Sequence, residues 1–543
     1  MQPANQQGAS GGDSIVIDNQ PSRFLAPRDA ADATRRMFWG LMALHLFTWT
    51  IVPALTQPNA PLDTIEMLYW GHEWQWGYYK HPPLAAWVAE LSTFLAPNSI
   101  WPTYLASQMC VVGCFAAAWA MARETLEPWP ALTAALLLQT CYYYNFTTPE
   151  LNNNILAKVT WAGSVFFLYK AITGRRWPAW VAAGVCLGLA LLSKYDAVVL
   201  ILALLAFSWL HPQARRCWRS PGPYLTMGVA MALFMPHLYW LMKNDFGPIR
   251  YFLTRSEGSQ RWFGHLVNPV HFAAAQLMAV GPVLGVLYWL VQRRWQLRKA
   301  DEKQAFQRDY LAAALFGPLF LVLLLSLITG AHLRTMWGSA MWTYIAVFLL
   351  LTFQMESSPR TQGRLVRLYL ILTIGLALIF GARNVLSPYV LSKPSRVHFP
   401  GRPLAEAVAD RWQRYHGHPS TLPFVAGTWW VAGNVGFYYP GRVSVYADLS
   451  QKKSPWIDPG QMAARGGVIL GSQGIDDASF KNWLAQFPRA EELEPITLPW
   501  QTGALPPVTF RMAVVGPAPG GTADALQKPG QGISLGTTSG ATQ

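Results

Sequence analysis

Apolar runs long enough to cross a bilayer, each closed by a short polar or basic stretch, dominate the chain from Met37 to Ala382 and then stop. A hydrocarbon core of about 30 Å asks for about 20 helical residues. On that measure the runs lie at Met37–Leu55, Ile100–Ala122, Trp129–Thr147, Asn153–Ile172, Trp177–Leu192, Ala197–Leu210, Pro223–Met242, Leu266–Val291, Tyr310–Thr329, Trp337–Phe353 and Leu365–Ala382. The fold class expected is mainly α, a polytopic helical membrane protein with about eleven transmembrane helices plus interfacial helices. Pro82–Pro97 is apolar but short and carries Glu90 in its middle, which predicts a helix lying in the interface.

With that segment not spanning, the basic clusters fall on one side. They are Arg35 and Arg36; Arg123; Arg175 and Arg176; Arg215, Arg216 and Arg219; Arg293, Arg294, Arg298, Lys299, Lys303 and Arg308; and Arg360, Arg364 and Arg367. The positive-inside rule makes this the cytoplasmic side and predicts a multi-pass protein of the bacterial inner membrane with a cytoplasmic N-terminus. Of 543 residues, 52% are hydrophobic and 13% charged, too little charge for a soluble chain of this size. The excess of 42 Lys and Arg over 28 Asp and Glu reads as membrane orientation and argues against nucleic acid as a partner. Cys110, Cys114, Cys141, Cys186 and Cys217 lie in or beside apolar runs without CxxC spacing, so neither a disulfide framework nor a zinc site is expected.

Residues 1–35 have no apolar period and are expected as a disordered cytoplasmic lead, with no cleavable signal peptide. The membrane domain is expected at 36–386, with a first outer loop at 56–99. From residue 387 the composition turns polar. Strand-like runs at Pro423–Val425 and Val443–Tyr446 and a helical stretch at Leu404–Tyr415 predict a small α/β domain over 387–516 on the periplasmic side. The tail at 517–543 is Gly-, Ala-, Thr- and Pro-rich and is expected to be disordered.

This topology gathers polar residues that lipid would not tolerate at the non-cytoplasmic face. Asp63 and Glu66 stand one turn apart in an expected short helix, Leu62–His72, where one carboxylate is suited to take a proton from an acceptor while the other orients it. Helix N-terminal charge is the plainer alternative. Lys80 and His81 precede Pro82-Pro83, which fix the backbone, and a rigid pair of potential cations suits a phosphate; a lysine reaching lipid headgroups is the alternative. Trp70, Trp74, Trp76, Tyr78 and Tyr79 read first as an interfacial aromatic belt, although such faces also stack on sugars. Glu150 with Asn152, Asn153 and Asn154 forms a polar cluster at a span start, and Lys158 two turns further in either neutralises that cluster or is simply packed. Lys194 and Asp196 break two spans, and His332 with Arg334 occupies a very short loop, Gly330–Met336, where Arg suits a phosphate and a headgroup contact is the alternative. Arg250, Arg255, Arg261 and His265 occupy a longer loop of the kind that caps membrane sites.

The order of D-x-x-E, WGYYKHPPL, TPEL, LLSKYDAV, WLMKNDF and RYFLTR resembles the polytopic GT-C glycosyltransferases of the protein O-mannosyltransferase and lipid A aminoarabinose transferase superfamily, over about residues 37–390. The resemblance implies transfer of a sugar from a polyprenyl-phosphate donor, with inversion, on the periplasmic side. It implies a catalytic base at Asp63 and a second acidic residue at Glu150, where the family commonly has Asp. Substrate-binding roles are expected for Glu66, Tyr79, Lys80, His81, Lys194, His332 and Arg334. The chain departs from the family in having Thr64 after Asp63, where the family has an Asp-Glu doublet, and Lys80 where many members have Asp. No cofactor is readable in the sequence, and a divalent cation is compatible with the chemistry. The expected function is transfer to a cell-envelope lipid or glycan, with protein O-glycosylation and non-enzymatic lipid or glycan transport as alternatives.

Overall fold

The structure is a computed structural model that describes residues 27–256, 263–290, 296–355, 358–391, 395–472, 474–502 and 505–517. Most of the expected N-terminal lead and C-terminal tail, and Arg261, Arg293 and Arg294, lie outside the described residues. Among those residues, seven helices are long and apolar enough to cross a membrane: Arg28–Thr56, Trp101–Ala122, Asn153–Gly174, Gly222–Lys243, Gly264–Leu290, Glu302–Thr329 and Pro359–Leu391. Ala197–Leu210 continues into Pro212–Arg219 through an 89° bend, and Trp177–Ser193 is a shorter apolar helix.

Two expected spans have a different form. The run at 129–147 is a ten-residue helix, Pro128–Leu137, followed by 3-10 turns at Leu138–Thr140 and Tyr142–Tyr144. Side chains there take the backbone carbonyls a longer helix needs: Asn145 Nδ2 donates to the carbonyls of Gln139 and Cys141, both at 3.0 Å, and Thr140 Oγ1 to that of Leu137 at 2.7 Å. The run at 337–353 is α-helical only over Ile345–Thr352, after a 3-10 turn at Thr335–Gly338. Both segments are buried in the protein, the one place where irregular backbone is tolerated at membrane depth.

The two ends of the bundle differ in chemistry. At one end Lys170 pairs with Glu124 at 2.8 Å, Lys303 Nζ donates to the Glu124 carbonyl at 2.6 Å, and Gln307 Nε2 to that of Met121 at 2.6 Å. At the other end lie the first loop and a five-stranded sheet from residues 424–515, with strands β1 (Phe424–Gly427), β2 (Ser444–Ala447), β3 (Gly467–Gly471), β4 (Ala490–Leu498) and β5 (Val508–Val515) in the order β2-β1-β3-β5-β4. β1 runs parallel to β2 and β3, while β5 is antiparallel to both β3 and β4. The sheet shares its hydrophobic core with the first loop, where Ile65, Tyr69 and Tyr78 pack with Val431, Val435 and Val445.

The segment Pro82–Pro97 holds a ten-residue helix, Leu84–Thr93, too short to span. It packs so tightly on helix Leu62–Gly71 that a Cβ at Gly71 would stand 2.2 Å from the Ala86 carbonyl oxygen.

Candidate active site

Helix Leu62–Gly71 starts after Pro61 and carries Asp63 in its first turn and Glu66 one turn on. The Asp63 side chain does not cap its own helix. Its Oδ2 accepts from Asn152 Nδ2 at 3.3 Å, while its backbone N–H donates to Glu150 Oε1 at 2.9 Å. Asn152 also caps helix Asn153–Gly174, its Oδ1 accepting from the N–H of Asn154 at 3.0 Å. The same asparagine thus fixes a helix start and one oxygen of Asp63.

Burial pushes the Asp63 carboxyl above the usual carboxylate range, against the charges of Lys80, Arg396 and Arg255, which pull it down. Glu150 rises to about 7, first from burial and then from the negative charge of Asp63. Two acidic groups are therefore held together, and the charge of Asp63 disfavours ionisation of Glu150.

Lys80 Nζ lies 2.5 Å from Glu66 Oε1 and 5.0 Å from the ring centres of both Tyr79 and Trp429. Burial opposes its charge, but Glu66 and Tyr79 outweigh that and hold its pKa above the ordinary lysine value. His81 behaves oppositely. Burial, then the charges of Lys194 and Lys80, push it down to about 3, so the expected pair of cations is one cation, Lys80, beside a neutral imidazole. Lys194 is itself paired with Asp196 at 2.8 Å.

The first loop is fastened to the helices beside it. His237 Nδ1 lies 2.6 Å from the Trp76 carbonyl and its Nε2 2.9 Å from the Tyr195 hydroxyl, and a Cβ at Gly77 would meet Trp240 at 2.5 Å. A carbonyl only accepts, so Nδ1 carries the proton and a neutral Nε2 accepts from Tyr195.

The aromatic residues of this loop divide. Trp74 and Trp76 are exposed, as a belt requires, whereas Trp70 and Tyr78 are buried and stacked at 5.0 Å and belong to the core rather than to a belt. Tyr79 faces the site, its ring 5.8 Å from Tyr251. Lys158 is a packed lysine: it is buried, donates to the Tyr143 carbonyl at 2.6 Å and stands 5.5 Å from the Tyr144 ring, away from the carboxylates. His332 and Arg334 are exposed. Among the described residues no hydrogen bond or ion pair ties either side chain to Asp63, Glu150 or Lys80, although Trp337 three residues on packs on Phe252 at 5.3 Å, in the helix Gly247–Arg255 that supplies Arg255.

The C-terminal domain supplies site residues that sequence reasoning passed over. Trp429 follows β1 and Asp448 follows β2, both at the carboxyl ends of parallel strands, where α/β proteins place ligand-binding groups. The Trp429 N–H donates to Asp448 Oδ1 at 3.0 Å, Asp448 Oδ2 pairs with Lys453 at 2.6 Å, and Lys453 stands 5.8 Å from the Tyr79 ring. The usable signal was Trp429 and Asp448 each closing a short apolar strand pattern. Among the described residues no group of three or more His, Cys, Asp or Glu side chains is placed to hold a metal ion.

An acidic pair, a shielded cation and aromatic faces meet at one end of a helical bundle, roofed by a small sheet. Over nine-tenths of the chain the fold is similar to that of ArnT from Cupriavidus metallidurans. It aligns with that protein bound to undecaprenyl phosphate at a TM-score of 0.59 and 14% identity, covering 90% of this chain and 98% of the other. Against the apo state the TM-score is 0.56 at 13% identity, covering 89% and 98%. The dolichyl-phosphate-mannose-protein mannosyltransferase family matches residues 80–240. A lipid A galacturonosyltransferase, RgtD of Rhizobium johnstonii, is 24% identical over 250 residues, 45% of this chain. That match spans about half of the relative, 51% of its length. The chain is thus similar in fold to ArnT and, over parts of its length, in sequence to a protein mannosyltransferase family and to a lipid A galacturonosyltransferase.

Proposed function

We propose that the protein transfers a sugar from a polyprenyl-phosphate donor to a cell-envelope lipid or glycan on the outer face of the inner membrane, with inversion at the anomeric carbon. The observation that carries this reading is the convergence of Asp63, Glu150 and Lys80, separate in sequence, at one end of the bundle beneath the C-terminal sheet. In the reaction the acceptor hydroxyl attacks the anomeric carbon on the face opposite the phosphate. Its proton passes to the Asp63 carboxylate, and the bond from the anomeric carbon to the phosphate oxygen breaks with its electron pair leaving on polyprenyl phosphate. The charge developing there is met by Lys80, with Arg255 and Arg396 near enough to act on the same pocket. A carboxylate whose pKa is raised is a better base near neutral pH than an ordinary aspartate. Glu150 accepts from the Asp63 backbone N–H and so holds residue 63 in place, while burial keeps its pKa high. Tyr79 and Trp429 offer faces to a sugar ring, His81 offers a neutral hydrogen-bonding group, and Lys194, His332 and Arg334 lie outside the immediate carboxylate cluster.

The lipid acceptor is favoured by the likeness to RgtD, a lipid A galacturonosyltransferase, and the polyprenyl-phosphate donor by the likeness in fold to ArnT bound to undecaprenyl phosphate. The match to a protein mannosyltransferase family over residues 80–240 supports a protein acceptor as the second reading. Mass spectrometry of envelope lipids, glycans and proteins from cells with and without the gene tests both. Loss of one sugar from a lipid or glycan is expected, loss from a protein selects the second reading, and an unchanged envelope together with no transfer by the purified chain from undecaprenyl-phosphate sugars overturns the enzyme.

A further inference from the structure

The turn after helix Trp429–Tyr438 reaches from the C-terminal domain into the first loop. Arg442 sits there with a left-handed backbone, φ 58°, a conformation that favours glycine and persists in other residues where the surroundings impose it. Its side chain is only 10% exposed and lies between two helices. Nη1 stands 2.9 Å from Glu90 Oε2 in helix Leu84–Thr93, and Nη2 donates to the Leu68 carbonyl at 2.6 Å. His72 Nδ1 approaches the other Glu90 oxygen at 3.7 Å. Leu68 is in the last turn of helix Leu62–Gly71, where its carbonyl also accepts from the His72 N–H at 3.3 Å and the helix dipole favours a cation.

We propose that Arg442 is a positioning residue, by which the C-terminal domain fixes helix Leu62–Gly71 along its axis and so sets the place of Asp63 and Glu66. This rests on the transferase reading above. The helix is a rigid rod of ten residues and Asp63 lies five residues from the Leu68 carbonyl, so a shift at one end is carried to the other. The second link, from Arg442 to Glu90, holds the neighbouring helix in the same register. The C-terminal domain is on this account part of the catalytic apparatus although Arg442 touches no substrate.

The test uses the full chain in detergent and in vesicles with an undecaprenyl-phosphate sugar as donor. Arg442→Gln is expected to lower kcat roughly 10- to 100-fold, the cost of a displaced catalytic group, with KM values within about twofold. Amide hydrogen exchange over residues 62–71 is expected to quicken. The double variant Glu90→Gln/Arg442→Gln, which removes the stranded Glu90 charge, is expected to recover stability but not kcat. Full recovery of kcat in the double variant would mean that the stranded Glu90 charge caused the loss, and the proposal falls. It falls equally if exchange over 62–71 is unchanged in Arg442→Gln. If the wild-type chain transfers no sugar, the functional reading fails and the exchange measurement decides the role of Arg442 alone.

Discussion

Replacing Asp63 with Asn removes a base while leaving its surroundings almost untouched. The backbone N–H that donates to Glu150 is unchanged, and the new amide oxygen can still accept from Asn152, the two bonds that hold residue 63. Folding is therefore expected to survive, with a melting temperature equal to or above that of the wild type, because a buried carboxyl is replaced by a neutral group. Turnover is expected to fall about 10²- to 10⁴-fold, the usual contribution of a positioned general base. The carboxylate must be ionised to work, and burial holds its pKa above the ordinary aspartate value, so wild-type kcat/KM is expected to rise with pH along a limb displaced upward from the normal carboxylate range. In Asp63→Asn that limb disappears along with most of the rate. The assay is initial-rate transfer from undecaprenyl-phosphate sugar in proteoliposomes, with product measured by mass spectrometry across pH 4 to 9. Wild-type turnover by a well-folded Asp63→Asn protein would refute the assignment.

Three further outcomes follow from the site. Lys80→Met is expected to cost roughly 10²- to 10³-fold in kcat, as loss of a fixed charge at the leaving group does, whereas His81→Asn keeps most activity because the imidazole is already neutral; rate measurements showing the reverse ranking would reassign the phosphate contact. Glu150 has its folded pKa raised from 4.5 to about 7, so its stabilising contribution is full below about 4.5 and is lost as pH rises through about 7. Glu150→Gln is therefore expected to raise the melting temperature at pH 8 by up to roughly 3 kcal/mol of equivalent stability, at about 1.4 kcal/mol per unit, and to change it little at pH 4; detergent-phase melts at the two pH values check this. Gly71→Ala places a Cβ 2.2 Å from the Ala86 carbonyl oxygen, where rigid backbone must move; a loss of roughly 1 to 3 kcal/mol is expected from overpacking, read as a lower melting temperature and weaker transfer.

The sequence by itself determined the membrane character, because runs of apolar residues of bilayer length admit few other uses, and it singled out Asp63, Glu66, Lys80 and Glu150 as candidates, because charge is costly at a membrane surface without a purpose. The short helix at Leu84–Thr93 was legible from its length and from Pro82-Pro83 before it. The ends of apolar runs read less well. At 129–147 and 337–353 composition promised full helices, but contacts with neighbouring helices let Asn145 and Thr140 take backbone carbonyls and break the first of them. Side-chain charge was also undecidable locally: His81 beside Lys80 reads as two cations until packing brings Lys194 up and removes water. The contribution of Trp429, Asp448, Lys453 and Arg442 was decided only by tertiary structure, since it depends on how a sheet more than 300 residues away in the chain docks on the first loop. Local pattern reports what each segment must bury, whereas the partner against which it is buried is set by the packing of the whole chain.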